Sequence, residues 1–396
     1  MKDRRIQLGI ILLIIFIIAI SSIYNLRKES QTANVSIEYK EKTLAEISRI
    51  RDQVVAIRGL NITKNVDVRF VDKEWAIRNW APRSTDVPEE LKLRELFYKT
   101  TFLIDWNQSI VSLSQEWVGL FVAASSGYTL YINIDYFNPD SQYSRNVLAH
   151  ELTHIIQYEH FRVNWPSCTD ARNALAALVE GDAGLVQRLY CSHTKECEPS
   201  EPWTIDYNNL YLSFSAFPYI YGEMFVDYLY REGGWELVNV AYSKPPIDTY
   251  MVMYPESYIE YLRSNVSYTP CVAEAKADLV DTMGAFYLYL VLSKMTNISY
   301  ASLITKEWKS DKVVISRNGN TTDIKWTIEF QEDNAAQAFY ETLRNYLASR
   351  AYVIQKESLN ETGYLMKIDN TTVIYNVLLE SSNTVTMNIE VISKLL

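Results

Sequence analysis

The chain has 396 residues, of which 48% are apolar and 22% are charged. This balance is typical of a folded globular protein, and the length allows one large domain or two modest ones. The formal net charge of -10 argues against a general nucleic-acid-binding protein, because neutralising phosphates requires an excess of Lys and Arg. We therefore expect no nucleic-acid partner.

The N-terminal region contains an apolar segment, from Ile6 to Leu26, without a charged residue. Its length matches the roughly 20 residues of a transmembrane helix. Basic residues precede it, so the positive-inside rule places the N-terminus in the cytoplasm. A cleaved signal peptide is the alternative, although its apolar core is usually shorter. We expect residues 1–26 to be a cytoplasmic start and a transmembrane signal anchor. The membrane is then a partner, and the protein is a single-pass cell-membrane protein. The domains that follow the anchor are expected to be extracytoplasmic.

Sequons and cysteines agree with an extracytoplasmic location. Both occur only after the apolar segment, and an even number of cysteines in an oxidising compartment suggests disulfides. Three pairings are possible, and we expect Cys191 to pair with Cys197 across their short polar loop. The eight N-x-S/T sequons favour a glycoprotein; they are at Asn34, Asn61, Asn107, Asn265, Asn297, Asn320, Asn360 and Asn370.

In chain order, residues 27–45 are polar and predict a stalk that runs into a helix. The pattern then predicts a helix over 47–60, a strand over 66–71 and a helix over about 88–103. A β-hairpin is expected over 119–137, turning at 125–127 and returning through 128–134.

The centre of the chain is predicted to be helical. One helix begins at Asp140 or Ser141 and ends near His160, and a second covers 170–190. Further helices are expected around 219–232, 256–263 and 272–295, whereas the alternating tail over 351–396 predicts a small β-sheet. The fold class predicted by these elements is α+β.

The strongest chemical signal is the pentad His150-Glu151-Leu152-Thr153-His154. On a helix, positions i and i+4 lie on one face, so both imidazoles can bind one Zn²⁺ at about 2.0–2.1 Å. Glu151 can reach a water on that ion and act as general base. A chance match on a surface helix is the alternative, but the chain has only four histidines.

A catalytic zinc needs a third protein ligand and an open fourth position. His160 has the histidine spacing of the metzincins, but no glycine breaks the helix before it. In a continuous helix it points roughly 80–120° away, and we reject it. Glu180 lies in an apolar helix and requires a partner, which is either a metal or an Arg or helix cap. Asp182 either orients a ligand imidazole or is a solvated helix residue.

The pentad followed by Glu180 resembles the gluzincin division of zinc metallopeptidases. More closely, HELTHIIQYEHF followed by ALVEGDAGLV is similar to uncharacterised secreted or membrane-anchored gluzincin-like proteins of prokaryotes. The likeness covers roughly 47–345 and is densest over 145–246. The segment 191–215, with its two cysteines, is not part of that pattern and is a candidate for reshaping the rim of the cleft.

The resemblance implies a zincin-like, thermolysin-type catalytic core with a helical C-terminal part. Zn²⁺ would be held by His150, His154 and Glu180, a peptide would pair with the strand over 128–134, and Tyr219 would stabilise the oxyanion. Tyr219 is one of 29 tyrosines, most of which serve packing or lie on the surface.

Together these observations predict a metallopeptidase domain over 46–350 and a small β-rich segment over 351–396. The predicted function is an extracytoplasmic zinc metallopeptidase that hydrolyses peptides or proteins. The alternative is a catalytically inactive zinc-binding surface or assembly protein.

Overall fold

The computed structural model describes residues 35–393 apart from 84, 86, 120, 198–200, 267–273, 275 and 357–360. Within these residues the chain folds into a mixed α/β structure with two sheets, one of three strands and one of seven. The small sheet belongs to the N-terminal half and the large sheet to the C-terminal part of the chain.

The N-terminal half combines the three-stranded sheet with long helices. Ser36 caps the first helix by accepting a hydrogen bond from the Tyr39 amide, and Gly59 ends it in a left-handed conformation. The elements are α1 (Ile37–Arg58), β1 (Asp67–Val71), α2 (Lys73–Trp80), α3 (Glu89–Thr100), α4 (Ile110–Val118), β2 (Ala123–Ser126), β3 (Thr129–Asn133), α5 (Gln142–His160) and α6 (Thr169–Thr194).

The small sheet has the strand order β1-β3-β2. β3 is its central strand, parallel to β1 and antiparallel to β2. Because both of its edges are hydrogen-bonded, β3 has no edge left for an extended peptide, and the expectation that 128–134 pairs with substrate is wrong. The edge strands are β1 and β2, and β2 is the first arm of the predicted hairpin.

The remaining elements lead into the large sheet. α8 is kinked where Gly233 and Gly234 leave helical φ/ψ. The helices are α7 (Leu210–Ser215), α8 (Phe217–Ser243), α9 (Thr249–Met253), α10 (Pro255–Arg263), α11 (Gly284–Met295), α12 (Ile298–Lys306) and α13 (Asp333–Arg350). The strands are β4 (Leu279–Asp281), β5 (Trp308–Asn318), β6 (Thr321–Phe330), β7 (Tyr352–Lys356), β8 (Glu361–Ile368), β9 (Thr371–Ser381) and β10 (Thr384–Ser393).

The large sheet is antiparallel throughout, with the order β4-β5-β6-β10-β9-β8-β7. Alternate residues of its central strands are buried, as expected of a sheet with one face on a core. Trp326 and Met387 are directly opposite each other on that buried face. They share one hydrophobic core with Phe286 of α11 and Phe339 of α13.

The fold expectation requires correction. The α+β class agrees with the structure, but the C-terminal part is not mainly helical and the β-structure is not a small terminal segment. Strands from 279–330 and 352–393 form one sheet. The predicted helix over 272–295 is wrong at its start, where β4 precedes α11 and Gly284 has a left-handed φ of 85°. The zincin-like architecture is therefore not retained as a description of the fold.

The expected membrane anchor also requires correction. Over the part of the chain that the structure describes, no helix is both long enough and apolar enough to cross a bilayer. The segment 6–26 lies outside the described residues, as do residues 27–34 of the predicted stalk, whereas α1 begins within that stalk at Ile37. The predicted single-pass membrane localisation therefore has no support in the described structure.

Candidate metal centre

The pentad lies in the middle of α5, where helical spacing places its two histidines on one face. Their rings are 4.7 Å apart, centroid to centroid, and nearly perpendicular. His150 is buried, and His154 is partly exposed. Both rings direct the Nε2 atom towards the same carboxylate on α6.

That carboxylate belongs to Glu180. Its Oε2 atom lies 2.9 Å from Nε2 of His150 and 3.5 Å from Nε2 of His154. The ligand atoms of the three residues all lie within 4.8 Å of one another. The other oxygen, Oε1, is buried and has no hydrogen-bond partner among the described residues. An unpartnered carboxylate oxygen beside two convergent imidazoles fits a divalent cation, and two nitrogens with one oxygen are a donor set that Zn²⁺ accepts.

The electrostatics of the three residues favour a positive charge between them. Burial pushes the pKa of Glu180 upward, but the imidazoles of His154 and His150 outweigh it and lower that pKa to about 2. Burial acts to lower the pKa of His154, and Glu180 reverses this and raises it to about 9. Negative charge that favours an imidazolium would also favour a metal cation, for which the proton competes.

The two histidines are oriented by glutamines. Nδ1 of His150 lies 3.1 Å from Oε1 of Gln187, and Nδ1 of His154 lies 2.7 Å from Oε1 of Gln157. An amide oxygen accepts from an Nδ1–H and so leaves Nε2 with its lone pair available to a metal. Gln157 is itself held, since its Nε2 donates to the carbonyl of Val179 at 2.8 Å.

Two alternatives were predicted for Asp182: it orients a ligand imidazole, or it is a solvated helix residue. The structure shows neither. Asp182 is fully buried and forms an ion pair with Arg58, and it accepts a hydrogen bond from the Tyr242 hydroxyl. The reason is helical geometry: Asp182 is two positions, or about 200°, beyond Glu180, whereas Gln187 is seven positions on and returns to within about 20°. Spacing on α6 therefore contained the signal for Gln187.

Glu151 is buried beside the candidate metal ligands and is hydrogen-bonded to a residue of the small sheet. The hydroxyl of Ser125, on the edge strand β2, donates to its Oε2 atom at 2.8 Å. Burial raises the pKa of Glu151, and His154, His150 and the Ser125 hydrogen bond oppose that rise. Ser125 was not predicted, because no local feature of the sequence relates position 125 to a residue 26 positions later.

Tyr219 lies near the start of α8, next to His150. Its ring centroid is 6.3 Å from that of His150, with the two rings close to parallel. Burial raises the pKa of Tyr219, and the nearby carboxylates of Glu180 and Glu151 raise it further, so the phenol keeps its proton and can donate a hydrogen bond.

Two other expectations concern residues outside the triad. His160, which sequence rejected as a ligand, lies away from the site, with Nε2 2.6 Å from the carbonyl oxygen of Asn61. Cys191 and Cys197 are joined in a disulfide that closes the C-terminal end of α6. The expected Cys pairing is thus present in the structure.

Comparisons with known proteins match parts of the chain only. Residues 121–162, which contain β2, β3 and α5, match the eCIS core domain. Residues 275–388, which contain most of the seven-stranded sheet, match a domain of unknown function, DUF8575. No curated protein and no solved structure matches the chain. None of these findings identifies a metallopeptidase family or a thermolysin-type fold.

Proposed function

We propose that this chain is a zinc-dependent metallopeptidase with the ligand set of the gluzincins. The observation that carries the proposal is the convergence of Nε2 of His150 and Nε2 of His154 on one oxygen of Glu180. The second oxygen of Glu180 has no partner within the described residues. A buried carboxylate in such surroundings is costly unless it is paired with a cation.

The ligand number favours catalysis over a structural role. Structural zinc sites usually have four protein ligands, whereas a catalytic site has three and an open position. Within the described residues the metal-ligand group contains only His150, His154 and Glu180. Glu151, a carboxylate that no structural site requires, lies beside them and is held by Ser125.

A bound Zn²⁺ would supply Lewis acidity, which polarises a carbonyl and makes water more acidic. In the proposed reaction Glu151 accepts a proton from the attacking water while the water oxygen forms a bond to the peptide carbonyl carbon. Glu151 then delivers that proton to the departing amine as the C–N bond breaks. The Tyr219 hydroxyl is the candidate donor to the oxygen on which negative charge develops.

The edge strand β2 supports a peptide as substrate. It carries Ser125, and so its backbone runs past Glu151. An edge strand can add an extended peptide through backbone hydrogen bonds, with little dependence on sequence. Peptide binding at β2 would bring a scissile bond to the base.

The experiment is metal analysis combined with conservative variants of the full-length chain. Wild type is expected to hold about one zinc per chain, and Glu151→Gln should retain the metal while losing peptide hydrolysis. Glu180→Ala and His154→Ala should lose metal. The matched controls are Glu159→Gln and His160→Ala on the same helix, whose side chains contact Thr63 and Asn61 instead. Full hydrolysis by Glu151→Gln would refute the mechanism.

A wild-type chain that binds zinc but hydrolyses no peptide would support the alternative function. If wild type holds one zinc yet hydrolyses no member of a broad peptide library, the inactive zinc-binding alternative replaces the peptidase. In that case we expect the metal centre, which is accessible at the partly exposed His154, to bind a ligand other than a peptide.

A further inference from the structure

A row of aromatic rings leads away from the candidate metal centre. It begins at His150, continues to Tyr219 at 6.3 Å and reaches Trp203 at another 6.1 Å, measured between ring centroids. Trp203 lies in the segment 201–209, between the Cys191–Cys197 disulfide and α7. This is the region that departs from the gluzincin-like pattern.

Trp203 differs from its neighbours in the direction of its side chain. Glu201, Pro202 and Thr204 are exposed, whereas Trp203 is half-buried against Tyr219. An exposed loop would otherwise leave a large aromatic ring in water, whereas this ring packs against Tyr219, which in turn contacts His150.

The segment is held in place by contacts that do not involve Trp203. The Asp206 amide donates to the Ser213 hydroxyl at 2.7 Å, and this hydroxyl donates to the Asp206 carbonyl at 3.0 Å. The hydroxyls of Tyr207 and Tyr289 are 2.7 Å apart. Trp203 is thus presented by an anchored segment, and its side chain can be changed without removing the anchors.

The rings of Trp203 and Tyr219 are tilted by 48° relative to each other, so they present two aromatic faces at an angle. A third aromatic ring can pack against such faces in offset or edge-to-face geometry.

From these observations we infer that Trp203 is a specificity-determining residue that binds an aromatic side chain of the substrate beside the metal centre. The inference rests on the proposed function, because it assumes a peptide whose scissile bond lies at the triad. It adds the substrate class: peptides with an aromatic residue adjacent to the cleaved bond.

The test uses dipeptide hydroxamates, which bind zinc through the hydroxamate and carry a side chain of choice. Phe, Ala and Arg versions are titrated into zinc-loaded full-length chain, wild type and variants, by calorimetry. Wild type should bind the Phe version at least about 10-fold more tightly than the Ala version. Trp203→Ala should lose most of this ratio, and Trp203→Phe should keep most of it.

The matched control is Thr204→Ala, the exposed next residue of the same segment, which leaves the anchoring contacts of Asp206 and Tyr207 in place. It should preserve the Phe-to-Ala ratio. Zinc content and thermal unfolding verify that each variant folds, and Trp203→Leu is a second variant if Trp203→Ala does not. A ratio near one in wild type, or one that survives Trp203→Ala, would overturn the inference and leave the proposed function intact. Preference for the Arg version would overturn the aromatic substrate class.

Failure of the proposed function gives a different result. A chain that holds no zinc, or that binds none of the three hydroxamates when zinc-loaded, removes the peptidase proposal and the role of Trp203 with it.

Discussion

Gly181 of α6 lies directly against Gly222 of α8. A Cβ atom added to Gly181 would lie 2.1 Å from the carbonyl oxygen of Gly222, and one added to Gly222 would lie 2.4 Å from the carbonyl oxygen of Ala177. The two helices can approach this closely only because both positions lack a side chain. This contact lies one residue from Glu180 and three residues from Tyr219. It therefore fixes the position of Glu180, the candidate metal ligand, relative to Tyr219, the candidate oxyanion donor.

The first prediction concerns this crossing. Gly181→Ala should lower the free energy of unfolding by about 1–3 kcal/mol or more, because the backbone of α8 must move away, and it should weaken zinc binding. Gly184→Ala on the same helix is the control, since its Cβ would meet only Glu223 at 3.4 Å. It should be neutral or stabilising by up to about 1 kcal/mol. Urea denaturation and zinc titration measure both; equal effects of the two substitutions would contradict the role of the crossing.

The second prediction concerns Gln187. Gln187→Ala removes the acceptor 3.1 Å from Nδ1 of His150, so the ring loses its orientation. Zinc affinity should fall by about 10–100-fold. Gln187→Glu retains an acceptor and should recover most of the affinity. Competition with a chromophoric chelator gives the dissociation constants, and unchanged affinity in Gln187→Ala would show that His150 needs no orienting partner.

The third prediction is that Asp182 contributes to the stability of the fold and not to zinc binding. Asp182→Ala leaves Arg58 buried without its carboxylate, and the free energy of unfolding should fall by about 3–5 kcal/mol. Zinc affinity should change far less than in Gln187→Ala. The double variant Arg58→Met/Asp182→Leu should regain part of the lost stability, because it buries no unpaired charge. A large loss of zinc affinity with little loss of stability would restore the orienting role to Asp182.

The fourth prediction concerns Ser125 and rests on the proposed peptidase activity. Ser125→Ala removes the hydroxyl that donates to Glu151, and hydrogen bonds to charged groups contribute about 1.5–3 kcal/mol. We expect kcat/KM to fall by roughly 10-fold or more, with zinc content unchanged. Ser126→Ala is the control, being the exposed next residue of the same strand. Steady-state kinetics on one peptide substrate compare the variants, and equal activity of both would indicate that Glu151 needs no anchor.

The fifth prediction is a pH dependence of stability at Asp311 of β5. Burial raises the pKa of Asp311 to about 6 from 3.8, against the opposing effect of N–H donors from Met283, Gly284 and Trp326. The folded chain therefore binds a proton between about pH 4 and pH 6 that the unfolded chain has released. Because the pKa is raised in the folded state, stability is lost as pH rises through this window.

Asp311→Asn abolishes this titration. Relative to the variant, wild type should lose up to about 2–3 kcal/mol of unfolding free energy between pH 4 and pH 6.5, and little above that. Urea denaturation across the pH range measures the difference. A difference that stays constant, or that rises with pH, would show that Asp311 is ionised throughout.

The sequence predicted α5 and α6 well because their signals are local. Apolar spacing, a polar start and the i, i+4 histidines all lie within one helix, and the residues that the pattern selected, His150, His154 and Glu180, lie together in the structure. Glu180 could be proposed without a structure because a carboxylate in an apolar helix requires a partner.

Contacts between residues that are distant along the chain could not be predicted from the sequence. Ser125 reaches Glu151 from another element, and Arg58 reaches Asp182 across 124 positions. Spacing alone could have ranked Gln187 above Asp182 on α6. The hairpin of β5 and β6 also had a local signal, alternating apolar residues around a turn at Gly319, which has a positive φ. The likeness over 47–345 favoured a helical continuation instead.

The position of β10 has a consequence for biosynthesis. This strand, Thr384–Ser393, lies between β6 and β9 in the large sheet. On the ribosome, β6 leaves the exit tunnel before β10 is made, and one edge of β6 stays unpaired until β10 follows. Hairpins β5–β6 and β8–β9 can form from neighbouring segments, whereas β10 joins the two hairpins through pairing between segments that are distant along the chain. A chain that lacks Thr384–Ser393 would expose one edge of β6 and one edge of β9 to aggregation.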